Sequence, residues 1–309
     1  MKNPGRRRLW RLVRICISAG LLLWLFSRFD LKGLGTSLDQ LPLIIWITAC
    51  LMMVAAQVLS SIRWWILSKA CAFPGKWPAY LGFYFVGMFF NLFLPTGIGG
   101  DLFKIHFLSR EEGKRIVAAS TVVADRLLGL VAMLLMAAVA VHLRKDLLPE
   151  PFPILMTLGG GAILTALAAL PVIERLIRRL WPVIAPYLEL VPAIRQRPRR
   201  LASLFGLSFC LQGLGIGAVA LLGNGIGINM PTALYFVIVP LVALSTLIPV
   251  SFNGIGVREG TFVYLLGLKG VDAGAALGLG LLFFSVQVSV SLIGGICYAA
   301  GVHRRSLES

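Results

Sequence analysis

Acidic side chains are scarce in this chain: 13 Asp and Glu stand against 29 Lys and Arg among 309 residues, and charged residues of both signs make up only 14%. A typical soluble domain carries about 25%. Residues 41 to 62, 127 to 141, 201 to 238 and 273 to 302 contain no charge at all. Such stretches leave no polar face for water, which excludes a large soluble core. Paired cysteine spacing is also missing. Cys16, Cys50, Cys71, Cys210 and Cys297 are scattered through or beside apolar segments, so neither a disulfide framework nor a zinc site is indicated.

Catalytic and nucleotide-binding motifs are equally thin. "GIGGDLFK" has no Gly-Lys-Ser/Thr after its glycines and is not a P-loop. "GIGVREG" has the glycine spacing of a dinucleotide fingerprint without the strand-turn-helix unit that gives it meaning. His106, His142 and His303 fall at different expected depths, which argues against a metal cluster. No serine has a recognisable base. No cofactor, no metal and no ATP-driven or hydrolytic chemistry is expected. The formal charge of +16 sits at the ends of apolar segments rather than on one patch, so it reads as topology signals and headgroup anchors, with no nucleic-acid partner.

What the chain does have is apolar residues, 58% of the total. They come in blocks long enough to cross a ~30 Å hydrocarbon core, which predicts an all-α polytopic membrane protein. Spanning helices are expected at 10 to 28, 41 to 66, 116 to 142, 153 to 174, 201 to 222 and 273 to 301. The first has the basic start of a signal peptide, but its greasy run ends in Trp24, Phe26 and Arg28 without a small-residue cleavage site. It reads as an uncleaved helix.

Two regions remain, 78 to 109 and 232 to 268, and charge decides how they run. Arginines crowd the N-terminus and the segment 175 to 200, while "GNGIGINMP" at 223 to 231 has no Lys or Arg. The first two belong in the cytoplasm, with Arg304 and Arg305 of the tail, and the third outside. Lys69 and Lys76 precede the first region and Arg110, Lys114 and Arg115 follow it, so it enters from the cytoplasm and returns. The second enters from outside and returns. Both read as re-entrant helical hairpins. About six full transmembrane helices plus two oppositely oriented hairpins then form an inverted repeat, with halves at about 10–142 and 153–301 of a single transmembrane domain. The alternative, in which both first arms cross completely, would put Lys104, Arg110, Lys114 and Arg115 outside, against the charge rule.

The hairpin tips share residues: "LPTGIGGD" at 94 to 101 and "IPVSFNGIGVRE" at 248 to 259 each hold an apolar-Pro pair, a Gly-Ile-Gly and a following acid. Pro95 and Pro249 end the first arms, and Gly97, Gly99 and Gly100, like Asn253, Gly254 and Gly256, allow the turn. Each second arm then begins near the midplane with its N–H groups and positive dipole end open to a cavity, a natural place for an anionic headgroup. Arg258 and Lys104 are candidates to pair a phosphate. Asp101 and Glu259 occupy first-turn positions where helix capping and a functional role are both open. Asp125 and Arg126 lie deep in their helix and, being adjacent, are expected to pair elsewhere or line the cavity. Arg63, near a cytoplasmic end, is expected to snorkel. Gln57, Asn91, Gln212 and Gln287 line the path or bond between helices, and Gly274, Gly278, Gly280, Gly294 and Gly295 read as close-packing residues.

The ordered set "LPTGIGGDLFKIHFL", "ADRLLGL" and "IPVSFNGIGVREG" resembles the transmembrane, flippase-like domain of lysylphosphatidylglycerol synthases. The resemblance implies movement of a lipid between leaflets and marks Asp101, Asp125, Arg126, Arg258 and Glu259 as important. The synthases' aminoacyl transfer resides in a separate soluble domain, so the chain is expected to be a stand-alone relative without that activity. The leading expectation is a translocator of an anionic or polyprenyl-linked lipid in a bacterial-type cytoplasmic membrane, with both termini inside. Two alternatives stay open: an intramembrane enzyme acting on a lipid headgroup through Asp101, Asp125 or Glu259, and a non-transporting partner of a separate lipid-modifying enzyme.

Overall fold

The computed structural model describes residues 41–93, 99–109, 114–144, 149–181, 190–247, 251 and 253–301. Within them the chain is an all-α, multi-pass membrane protein. Its helices are α1 (Leu43–Ala70), α2 (Trp77–Phe93), α3 (Gly99–Leu108), α4 (Arg115–Leu143), α5 (Phe152–Leu180), α6 (Leu190–Arg195), α7 (Pro198–Gly225), α8 (Thr232–Leu247), α9 (Val257–Gly267) and α10 (Ala273–Ala299).

Five of these, α1, α4, α5, α7 and α10, are long and apolar enough to cross a membrane. They occupy five of the six expected spans. The sixth, 10 to 28, lies outside the described residues, as do Pro95, Gly97 and Pro249. At ~1.5 Å per residue the five helices reach about 40 Å, while α3 and α9, with 10 and 11 residues, reach only about 16 Å. α3 starts at Gly99 and α9 at Val257, while the sequence places the short second arms of the two regions at 102 to 109 and 259 to 268. α5 runs on to Leu180 because Glu174 and Arg178 pair across one turn at 3.0 Å, which suits the helix as it leaves the apolar region.

Hydrocarbon solvent gives no hydrophobic reward for bringing helices together, so small residues that let backbones touch carry much of the packing. α2 and α3 meet where a Cβ on Gly100 would overlap the Gly87 carbonyl oxygen. α10 meets α2 where a Cβ on Gly294 would overlap the Phe85 carbonyl, and Gly295 lies against the Phe89 ring. Further along α10, Gly280 makes room for Glu259 of α9, 3.1 Å from where its Cβ would stand. Around these contacts, α1 packs on α7, and α4 packs on α3, α5, α7 and α8. A buried aromatic group of Trp64, Tyr80, Phe83 and Phe107 ties α1, α2 and α3 together.

Gly294→Val should therefore lower the unfolding midpoint of the detergent-solubilised protein, by the ~1–3 kcal/mol typical of overpacking or more. Gly159→Ala, where an added Cβ meets nothing within 4 Å, should leave it unchanged.

Candidate functional site

Helix α4 carries two opposite charges side by side, about 15 Å from its start at helical rise. Neighbouring residues on a helix point about 100° apart, so Asp125 and Arg126 reach different partners. Asp125 turns to α1, where Arg63 Nε donates to its Oδ1 at 2.7 Å. Tyr84 of α2 donates its hydroxyl to the other oxygen at 3.1 Å, and Arg63 Nη1 donates to Ser208 of α7 at 2.9 Å. Arg126 turns to α3, where its Nε and Nη2 meet Asp101 Oδ2 at 2.9 and 2.8 Å. One turn of α4 thus fastens α1, α2, α3 and α7.

This corrects the reading of Arg63 as a snorkelling residue. It is only 3% exposed and belongs to the deepest ion pair of this cluster. A buried guanidinium requires a carboxylate, and the one that neutralises it lies 62 positions away, beyond the reach of any local pattern.

Lys104, 5% exposed, completes the group. Its ammonium sits 3.4 Å from the centre of the Tyr84 ring and 5.6 Å from that of Trp64. Both faces attract a cation. Asp101 Oδ1 is 3.8 Å away, too far for a hydrogen bond, and that oxygen is buried without a hydrogen-bond partner among the described residues. A donor and an acceptor are thus left incompletely satisfied side by side.

These groups border a cavity of about 450 Å³ enclosed by α1, α2, α3, α4, α7 and α8. Arg63, Tyr84, Lys104, Asp125 and Arg126 line it, together with Gln57, Asn91 and Gln212. The last two also bond within the frame: Asn91 accepts from the Gly100 N–H at 2.7 Å and Gln212 donates to the Gly129 carbonyl at 2.8 Å. A space of this size with several convergent polar groups is typical of a small-ligand site.

Arg258 and Glu259 are placed elsewhere. They head α9, where Arg258 Nε donates to Glu259 Oε1 at 2.9 Å and Nη1 donates to Gln287 of α10 at 3.0 Å. The guanidinium also lies over the Phe284 ring at 4.6 Å. Glu259 is fully buried, and its other oxygen accepts from the Gly256 N–H at 2.6 Å. Asn253, Gly254 and Gly256 turn into α9 with φ of 50°, 76° and 85°, a region glycine enters without steric penalty. The expectation of open N–H groups at both second arms needs correcting. Asn91 takes one at α3 and Glu259 takes one at α9, because a donor buried this deep must find an acceptor within the protein. The six charged candidates therefore divide: Lys104, Asp125 and Arg126 line the cavity, with Asp101 paired to Arg126 beside it, while Arg258 and Glu259 pair with each other away from it. Among the described residues, no three His, Cys, Asp or Glu side chains come together to hold a metal.

Removing one partner of a buried ion pair leaves the other uncompensated, at a cost of about 3–5 kcal/mol. Asp125→Ala should sharply lower the thermal midpoint in detergent, whereas Arg63→Met combined with Asp125→Leu should recover most of the loss. A double variant no more stable than Asp125→Ala would show that the pair does not hold these helices.

Comparison with known proteins gives one match. A family model described as "Lysylphosphatidylglycerol synthase TM region" matches residues 11–295. No curated protein and no solved structure matches the chain.

Proposed function

The chain belongs to the lysylphosphatidylglycerol synthase TM-region family, and from that membership and the cavity chemistry we propose that it is a lipid translocator whose cargo headgroup is anionic. The observation that carries this reading is the charge balance of the cavity cluster. Among the described residues, Arg63, Lys104 and Arg126 face two carboxylates, Asp101 and Asp125. Lys104 is the cation held least closely, its ammonium 3.8 Å from Asp101 Oδ1, and a phosphate drawn from either leaflet would match a charge that is costly at membrane depth. Arg126, whose side chain is 53% exposed, and Lys104 are the groups placed to receive it. The cargo is a lipid with an anionic phosphate, an anionic phospholipid or a polyprenyl-linked lipid. A separate lipid-modifying enzyme that supplies or consumes it is the partner this reading implies.

Movement across the bilayer follows from an inverted repeat. The halves pair α1 with α7, α2 with α8, α3 with α9 and α4 with α10, and the helix contacts support this exchange. The contact of α2 with α10 has its counterpart in α8 with α4, α3 with α4 in α9 with α10, and α1 with α10 in α7 with α4. In this arrangement α2–α3 and α8–α9 are re-entrant hairpins from opposite faces, with six full spans including 10 to 28. Rocking of one half against the other exposes the cavity to each leaflet in turn. Positive charge in the segments 69–76, 110–115 and 175–200 supports a cytoplasmic position for them and for both termini in a bacterial-type cytoplasmic membrane.

Two experiments test the reading. In a cysteine-free background, single cysteines replacing Lys76, Lys114 and Arg197 should label from one side of the membrane, and those replacing Gly227 and Lys269 from the other. Labelling of Lys114→Cys with the Gly227 group would mean that α2 crosses completely. In proteoliposomes, purified protein should speed the leaflet exchange of labelled anionic lipids, and Lys104→Met should slow it about tenfold, as expected for one lost charge-assisted hydrogen bond. Exchange no faster than in empty liposomes, for phospholipid and polyprenyl phosphate alike, would remove the translocator reading. A new lipid species appearing instead would point to an enzyme.

A further inference from the structure

A headgroup in a 450 Å³ cavity leaves the question of where its hydrocarbon goes. A second, larger hollow of about 770 Å³ lies along the same helices. Its walls are Leu135, Met136 and Val139 of α4, Phe209 of α7, and Ala233 and Phe236 of α8, and the charged residue on its border is Arg144, just beyond the end of α4. The polar cavity uses earlier residues of α4, up to Met133, and later residues of α8, Ala243 and Leu247. The two hollows are therefore successive along α4 and α8, polar first and apolar second.

Resting on the translocator reading, we infer that this groove is the binding site for the hydrocarbon chain of the same lipid whose headgroup enters the polar cavity. The lining has the right chemistry, since the groove offers a chain no buried polar group to leave unsatisfied along α4. It also has the right length. From Leu135 to Leu143 the helix rises about 12 Å, close to the roughly 15 Å of one leaflet of hydrocarbon. The wall between the hollows is adaptable. Met133 faces one and Met136 the other, less than one turn apart, and methionine side chains rearrange at little cost. On α8, Pro240 lies between the groove residue Phe236 and the cavity residue Ala243. Lacking an N–H, Pro240 removes the hydrogen bond that would tie it to the Phe236 carbonyl, so α8 is weakest at the wall that must open for head and chain to be joined. The ligand is thus one amphiphile with a small anionic head and a long hydrocarbon chain, either diacyl or polyprenyl.

The test uses full-length protein in proteoliposomes that contain a lipid with a photoactivatable diazirine on its chain. One arm carries an anionic diacyl phospholipid, a second a polyprenyl phosphate, and a third neutral diacylglycerol. Peptide mapping by mass spectrometry should find adducts on 135–143, 209 and 233–236 with one or both of the anionic probes, and much less with diacylglycerol. Val139→Trp, at an exposed groove position, should block this labelling. Lys104→Met, in the other hollow, should reduce it about tenfold, because head and chain belong to one molecule. Labelling that is equal for all three probes and indifferent to Lys104→Met would make the groove ordinary lipid-facing surface and overturn the inference. So would intermolecular protein cross-links in place of lipid adducts, which would mean that a second copy fills it. Leaflet exchange measured on the same liposomes separates the two claims. Head-dependent labelling without exchange keeps the site and removes the translocator, whereas exchange with indifferent labelling does the reverse.

Discussion

A charge buried among membrane helices must be neutralised by another, and two adjacent residues of α4 answer this requirement: Asp125 is itself buried, and Arg126 meets the buried Asp101. Asp125 and Arg126 point apart, so each must be met from a different direction. Arg63 arrives from α1 and Asp101 from α3. The position of α3 relative to the long helices is fixed by these pairings, and so is the cavity between them. Lys104, on the same arm as Asp101, is carried to the cavity wall as a consequence.

The two short helices, α3 and α9, use their charges differently. In the first, the acid at the start of the short arm looks outward to another helix and leaves one oxygen without a donor. In the second, Glu259 is consumed locally, capping α9 and holding its neighbour Arg258, and Gly280 on α10 fits against it. A fully satisfied buried network rigidifies, while an incompletely satisfied one is where a ligand or a rearrangement can be accommodated. α9 is accordingly a fixed element, while α3 keeps an unsatisfied oxygen beside the cavity.

Much of the architecture was legible because a long uncharged run has few stable environments other than a bilayer. The spans at 41 to 66, 116 to 142, 201 to 222 and 273 to 301 fall on α1, α4, α7 and α10 with shifts of a few residues at their ends. The short helices were legible from proline, glycine and the sign of the flanking charge, and the glycines of α10 from their spacing. The site was legible only in part. Asp125 and Arg126 stood out as charges deep in an apolar helix, but Arg63 sat close enough to a helix end to be dismissed, and only packing shows it turned inward. Glu259 illustrates the opposite limit. Its first-turn position allowed both a cap and a cargo contact, and the choice was made by the Gly256 N–H three residues earlier. Partners separated by 62 or 145 positions, such as Arg63 with Asp125 and with Ser208, depend on how helices cross, which no local pattern encodes.

The central claim is that Lys104 and Arg126 at this cavity receive the phosphate of a lipid. The most direct measurement is an experimental structure of the full chain in a bilayer disc containing anionic lipid. A phosphate within hydrogen-bonding distance of Lys104 Nζ and the Arg126 guanidinium, with the lysine drawn off the Tyr84 ring, is the predicted result. A cavity holding only water, with Lys104 still stacked on Tyr84 and lipid phosphates confined to the membrane surfaces, would contradict it.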